Sequence, residues 1–127
     1  MNTHRKILFA AMGCLLWSTP VAAAPDGTLG MALMAAAINA DGTLARGTGV
    51  TSASAVAPGA YEIIFDRNVT GCFFTATIGA PAAIASTGGF IEATRRSGNP
   101  NGVYVETTTA ADVLTDRPFY LTVFCAQ

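Results

Sequence analysis

Cys72-Phe73-Phe74-Thr75-Ala76-Thr77-Ile78 alternates strictly, with Cys72, Phe74, Ala76 and Ile78 on one side and Phe73, Thr75 and Thr77 on the other. Period-two alternation in aromatic and β-branched residues marks a strand with one face on a core. The final stretch, Phe119-Tyr120-Leu121-Thr122-Val123-Phe124-Cys125, reads the same way, with Phe119, Leu121, Val123 and Cys125 together. Each cysteine shares a face with the bulky apolar residues of its strand. Paired antiparallel with Cys72 opposite Cys125, the strands set Phe74 against Val123, Ala76 against Leu121 and Ile78 against Phe119. Directly opposed residues of a non-hydrogen-bonded pair lie about 4.5 Å apart at Cα, close enough for a disulfide.

Working outward, Tyr61–Phe65 is a strand with Tyr61, Ile63 and Phe65 on one face. Phe90–Arg95 and Val103–Thr108 flank the turn cluster Ser97-Gly98-Asn99-Pro100-Asn101-Gly102. Gly47, Gly49 and Val50–Val56 read as one exposed strand. Met31–Asn39 has helical spacing at Met31, Met34, Ala35 and Ile38, but Asp41-Gly42 follows and Leu44-Ala45-Arg46 continues as a return strand. Asp-Gly is a strong hairpin signal, so the segment reads as a strand. Ala80–Gly89 and Asp112–Pro118 read as loops. The fold expected is all-β: a small antiparallel, jelly-roll-like β-sandwich of about eight strands with one disulfide.

At the other end, His4, Arg5 and Lys6 precede the apolar run Ile7–Trp17, Thr19 and Pro20 break it, and Val21-Ala22-Ala23 offers small residues for cleavage. This is the pattern of a signal peptide over residues 1–23, leaving a single β-sandwich domain over 24–127. The apolar run is too short to span a membrane, and no second long one follows, so no membrane insertion is expected after cleavage. Cys14 lacks the aliphatic residue of a lipoprotein site at its −3 position. The expected location is secreted or periplasmic.

Cleavage changes the inventory. Of 127 residues at net charge −1, 104 remain, with five arginines against eight carboxylates, net −3. The only His (His4), Lys (Lys6) and Trp (Trp17) lie in the removed segment. Imidazole-based nucleophilic catalysis, histidine zinc sites, Schiff bases and P-loops lose their essential residue. A carboxylate pair or an oxygen-ligated metal are the routes left. The near-neutral charge gives no footprint for nucleic acid. No catalytic residue, metal or cofactor is assigned. Cys72 and Cys125 are the two cysteines left, and in an oxidising compartment they pair with each other.

Three groups could still carry chemistry. Asp112, Asp116 and Glu106 are the densest acidic group; Glu106 with Asp112 is a candidate hydrolase pair, against a solvated loop with Arg117 pairing one carboxylate. Arg95-Arg96 beside Ser97-Gly98-Asn99 could hold an anion, although adjacent strand residues point to opposite faces. Phe73, Tyr104, Tyr120 and Phe124 are the aromatic candidates, three of them opposite the core face by parity, fit either for stacking on sugar faces or for a subunit contact. Tyr104, Tyr120, Phe73 and Arg95 are the binding candidates. Asn68-Val69-Thr70 fits a glycosylation sequon.

Asn39-Ala40-Asp41-Gly42-Thr43-Leu44, Gly47-Thr48-Gly49-Val50, Gly59-Ala60-Tyr61, Phe65, Cys72, Gly98-Asn99-Pro100-Asn101-Gly102-Val103 and the ending Phe119 to Cys125 follow one another in an order that resembles an uncharacterised family of small secreted bacterial β-domains. The resemblance covers residues 36 to 125 and implies a bacterial origin and a compact β-domain; it carries over no catalytic residue. The strand pattern is also similar to trimeric jelly-roll heads and phage tail-tip domains. The function expected is a non-catalytic structural or interaction module, homo-oligomeric or bound to a surface partner or glycan. A carbohydrate-binding module and a small periplasmic hydrolase inhibitor are the alternatives.

Overall fold

The computed structural model describes residues 32–126. The expected signal peptide over 1–23, with Cys14, and the residues up to Met31 lie outside them. The elements are β1 (Ala32–Ile38), β2 (Leu44–Thr48), β3 (Val50–Ala57), β4 (Ala60–Phe65), β5 (Phe73–Ile78), β6 (Phe90–Arg95), β7 (Gly102–Thr108) and β8 (Phe119–Cys125). They form two four-stranded sheets: sheet I in the order β2-β1-β8-β5 and sheet II in the order β3-β4-β7-β6. Every neighbouring pair is antiparallel. The sandwich and its eight strands are those the alternation predicts. Hairpins β1–β2, β3–β4 and β6–β7 stay within one sheet, while β8 lies between β1 and β5 and brings the last strand beside the first.

The ambiguous first segment is a strand because its turn demands it. Gly42 has φ +84°, Asp41 Oδ1 accepts from Thr43 N at 3.0 Å and from the Thr43 hydroxyl at 2.6 Å, and Gly42 N donates to Asn39 O at 2.9 Å. That closes β1 onto β2. One boundary differs from the sequence reading. The run expected to be continuous from Gly47 to Val56 is split at Gly49: Gly47 and Thr48 end β2 in sheet I, and Val50 starts β3 in sheet II. Gly49 sits at φ +72°, a left-handed conformation that turns the chain from one layer to the other, and a Cβ there would lie 2.9 Å from Met34 Cγ.

Between the layers, Met34, Ile38, Phe119, Leu121 and Val123 of sheet I face Tyr61, Ile63, Phe65, Val103 and Val105 of sheet II in one cluster. Tyr61 and Phe119 meet edge-on, with ring centroids 5.0 Å apart. Val69, in the connection between β4 and β5, plugs the core with no exposed surface. The β5–β8 register is the expected one, with Phe74 opposite Val123, Ala76 opposite Leu121 and Ile78 opposite Phe119. Cys72 and Cys125 lie at its end, bonded, with Cα atoms 4.2 Å apart. The disulfide fastens edge strand β5 to the inner strand β8.

Candidate functional site

The pleat sorts the outward residues of sheet I into rows that run across the strands. One row is Leu33–Phe124–Phe73, from β1, β8 and β5. The next is Thr48–Ala35–Thr122–Thr75, and the third is Arg46–Ala37–Tyr120–Thr77. Arg46 is the single charged residue in the three rows. Phe73 is 70% exposed and Leu33 59%, with Phe124 half-buried between them. Phe73 and Phe124, two of the outward aromatics, thus belong to one apolar row. Leu33 completes it and was missed in the sequence. Once β1 is a strand, its parity opposite to Met34, Ala36 and Ile38 is the signal that finds it.

Tyr120 lies on the same face but is committed elsewhere. Its hydroxyl donates to Ala80 O at 2.6 Å, and the Arg46 guanidinium sits 5.8 Å from its ring centroid. Arg46 also donates to Pro81 O at 3.2 Å. Together they staple the start of the Ala80–Gly89 loop onto sheet I. Gly79 permits the crossing, because a Cβ there would meet the Tyr120 ring at 2.7 Å. A shallow groove of about 330 Å³ lies beside them, floored by Ala35, Ala36 and Ala37 and edged by Arg46, Thr48 and Tyr120.

Tyr104 is on the opposite side of the molecule, on the outer face of sheet II. Its hydroxyl donates to Glu106 Oε1 at 2.8 Å. That bond, then burial and the Glu106 charge, raise the phenol above its ordinary range, opposed by the Arg96 cation. Arg96 lies 5.5 Å from the Tyr104 ring centroid and pairs with Glu62, the one ion pair among the described residues. Arg95 does not join it. It stands opposite Val103 at the end of β6, exposed. Both arginines border a cleft of about 430 Å³ with Thr70, Ser97, Asn99 and Pro100, but Arg96 already has its counter-charge.

The acidic group is divided. Glu106 and Asp112 share a cleft of about 440 Å³ with Glu92, Phe90, Ile91 and Thr108. Glu92 and Glu106 are direct cross-strand partners, an arrangement of like charges that does not stabilise the sheet. Asp116 is apart from them: its Oδ1 accepts from Gly59 N at 2.6 Å and holds the β3–β4 turn. Among the described residues Arg117 pairs with no carboxylate, contrary to the sequence reading. It is 8% exposed, and its guanidinium donates to Thr108 O at 3.2 Å and Thr87 O at 2.7 Å. Those bonds tie the loop before β6 to the end of β7. Nothing local in the sequence signals a buried arginine bound to carbonyls. Asn68 accepts from Thr70 N at 2.8 Å, so the sequon forms a turn around the buried Val69.

The four binding candidates are therefore not one site. Phe73 and Tyr120 share sheet I, Tyr104 is on sheet II, and Arg95 lies at the end of β6. Among the described residues no three His, Cys, Asp or Glu side chains are grouped to hold a metal ion. Compared with protein-family models, with curated proteins and with solved structures, the chain matches none.

Proposed function

We propose that this chain is a secreted or periplasmic β-sandwich interaction module, non-catalytic, that works through the outer side of sheet I. One observation carries the reading: the row Leu33–Phe124–Phe73 presents contiguous apolar surface on a face whose three rows hold one charge. Scattered exposed apolar residues are ordinary on a soluble protein, whereas an aligned row on a face with a single charge marks a contact surface. The Cys72–Cys125 bond fits an oxidising compartment.

The carbohydrate alternative draws less support. Arg46 and Arg96 each cover a face of the tyrosine they stack on, and both tyrosine hydroxyls are engaged. Phe73→Glu tests the reading. Phe73 is exposed, so the variant is expected to fold and melt as wild type does. Capture from the envelope fraction of the host should recover a partner with wild type and lose it with the variant. Equal recovery with both proteins would sink the assignment to this face.

A further inference from the structure

The outer edges of the two sheets are β2, β5, β3 and β6. Natural edges are blunted by shortness, charge, proline or bulges. β2 has five residues and carries Arg46. β3 breaks register at Val50/Ser52 and again at Ala55/Ala57. β6 carries Glu92 and Arg95. β5 has none of these devices: it holds an unbroken register against β8 and contains no charge and no proline. Among the described residues no strand pairs with its outer edge. The start of the loop that follows is drawn away from it, because Tyr120 and Arg46 hold Ala80 and Pro81 toward β8 and β2. The inward residues Phe74, Ala76 and Ile78 are only half-buried, so the core is thinly covered along this edge.

We infer that β5 is a self-pairing edge: two copies of this chain join β5 to β5, antiparallel, about a two-fold axis at Thr75, and merge their sheets I into one. The inference rests on sheet I being the working side and names a second copy as its partner. Pleat parity fixes the register. A two-fold axis perpendicular to the sheet must lie between two copies of the same residue, so that outward side chains meet outward ones. Centring on Thr75 uses the whole stretch Cys72–Ile78, with Phe73 opposite the second copy's Thr77 and Thr75 opposite its own equivalent. Threonine pairs across strands are favourable.

Charge argues for a copy over an unrelated strand. The joined faces bring no like charges together, since Arg46 lies on the far strand β2. β6 packs beside β5 at the same side of the sandwich and carries Glu92 near its start and Arg95 at its end. The two point to opposite faces of β6, Glu92 opposite Glu106 and Arg95 opposite Val103, so β6 sets no row of like charge beside the join.

The test uses protein exported from the full-length chain. By sedimentation velocity up to about 1 mM, a range that captures weak association, wild type is expected to dimerise. Thr75→Lys is expected to stay monomeric with an unchanged circular dichroism spectrum and melt. Under mild oxidation Thr75→Cys is expected to form a linked dimer, because directly opposed residues are about 4.5–5.5 Å apart at Cα. Thr77→Cys is not, since its symmetry mates fall about 14 Å apart along the strands. Peptide mapping confirms that Cys72–Cys125 is intact in both. A monomeric wild type, a dimer that survives Thr75→Lys, or equal linking by both cysteines would overturn the inference. A monomeric wild type that still captures an envelope partner through Phe73 would overturn self-pairing alone and leave the interaction surface standing.

Discussion

Tyr61→Phe removes one oxygen atom from the middle of the sandwich. Tyr61 has no exposed surface, and its hydroxyl serves two partners: it donates to Ala40 O at 3.1 Å and accepts from Arg117 N at 2.9 Å. It thereby fastens the β1–β2 turn to the loop before β8. The phenylalanine ring keeps the edge-on contact with Phe119 at 5.0 Å, so no cavity opens. What remains is a buried Arg117 N–H and the Ala40 carbonyl without their partner, a loss of about 1–3 kcal/mol. At the middle of that range, about 2 kcal/mol, the melting temperature of a domain this size falls by about 8–16 °C.

The same residue gives a pH signature. Burial, the largest cause, raises the Tyr61 phenol above its ordinary value of 10.0, against the opposing hydrogen bond from Arg117. A raised folded-state value means that the unfolded chain loses this proton first. The contribution to stability is whole below pH 10.0 and is lost as pH rises through the folded value. Tyr61→Phe should therefore flatten the fall in stability at alkaline pH, leaving the part due to Tyr104. Urea denaturation at neutral pH and in steps through the alkaline range measures both effects. A variant within about 0.5 kcal/mol of wild type, or one with an unchanged alkaline slope, would refute this account of the core.

Replacing both Cys72 and Cys125 by serine should cost roughly 4 kcal/mol on the loop-entropy model for a separation of 53 residues, read as a lower midpoint in guanidinium titration. Gly49→Ala forces a side chain into φ +72° and against Met34 Cγ, and should cost about 1–2 kcal/mol or more, visible in a thermal melt. Asp116→Ala should destabilise by about 1–2 kcal/mol through the Gly59 N–H it leaves behind, and Asp116→Asn, which keeps an acceptor, should recover most of that in the same melt.

The features legible in the sequence are those that depend on parity within one strand. The faces of β4, β5 and β8, the disulfide and the β5–β8 register all follow from which residues are two apart. The Asp41-Gly42 turn decided β1 against its helical spacing, because a fixed turn outweighs the propensity of an alanine-rich segment. The sheet change at Gly49 was not legible: a glycine within an alternating run reads as a bulge or as nothing, and only the packing of Met34 beneath it shows that the chain leaves the layer. Arg117 was misread because its partners are carbonyls brought together by the fold, which no residue spacing records. Tyr120 and Phe73 look alike in sequence, both outward on their strands. The Ala80–Gly89 loop separates them, binding one and leaving the other bare, so the candidate site could be sketched by residue type but not placed on one face.

Hydrogen–deuterium exchange over the peptides that contain β5 and β3, run at low and high protein concentration, tests self-pairing through sheet I most directly. If sheet I acts through its uncharged edge, protection over Phe73–Ile78 rises with concentration while Val50–Ala57 stays constant. Exchange in β5 that is fast and unchanged at every concentration would contradict self-pairing through β5.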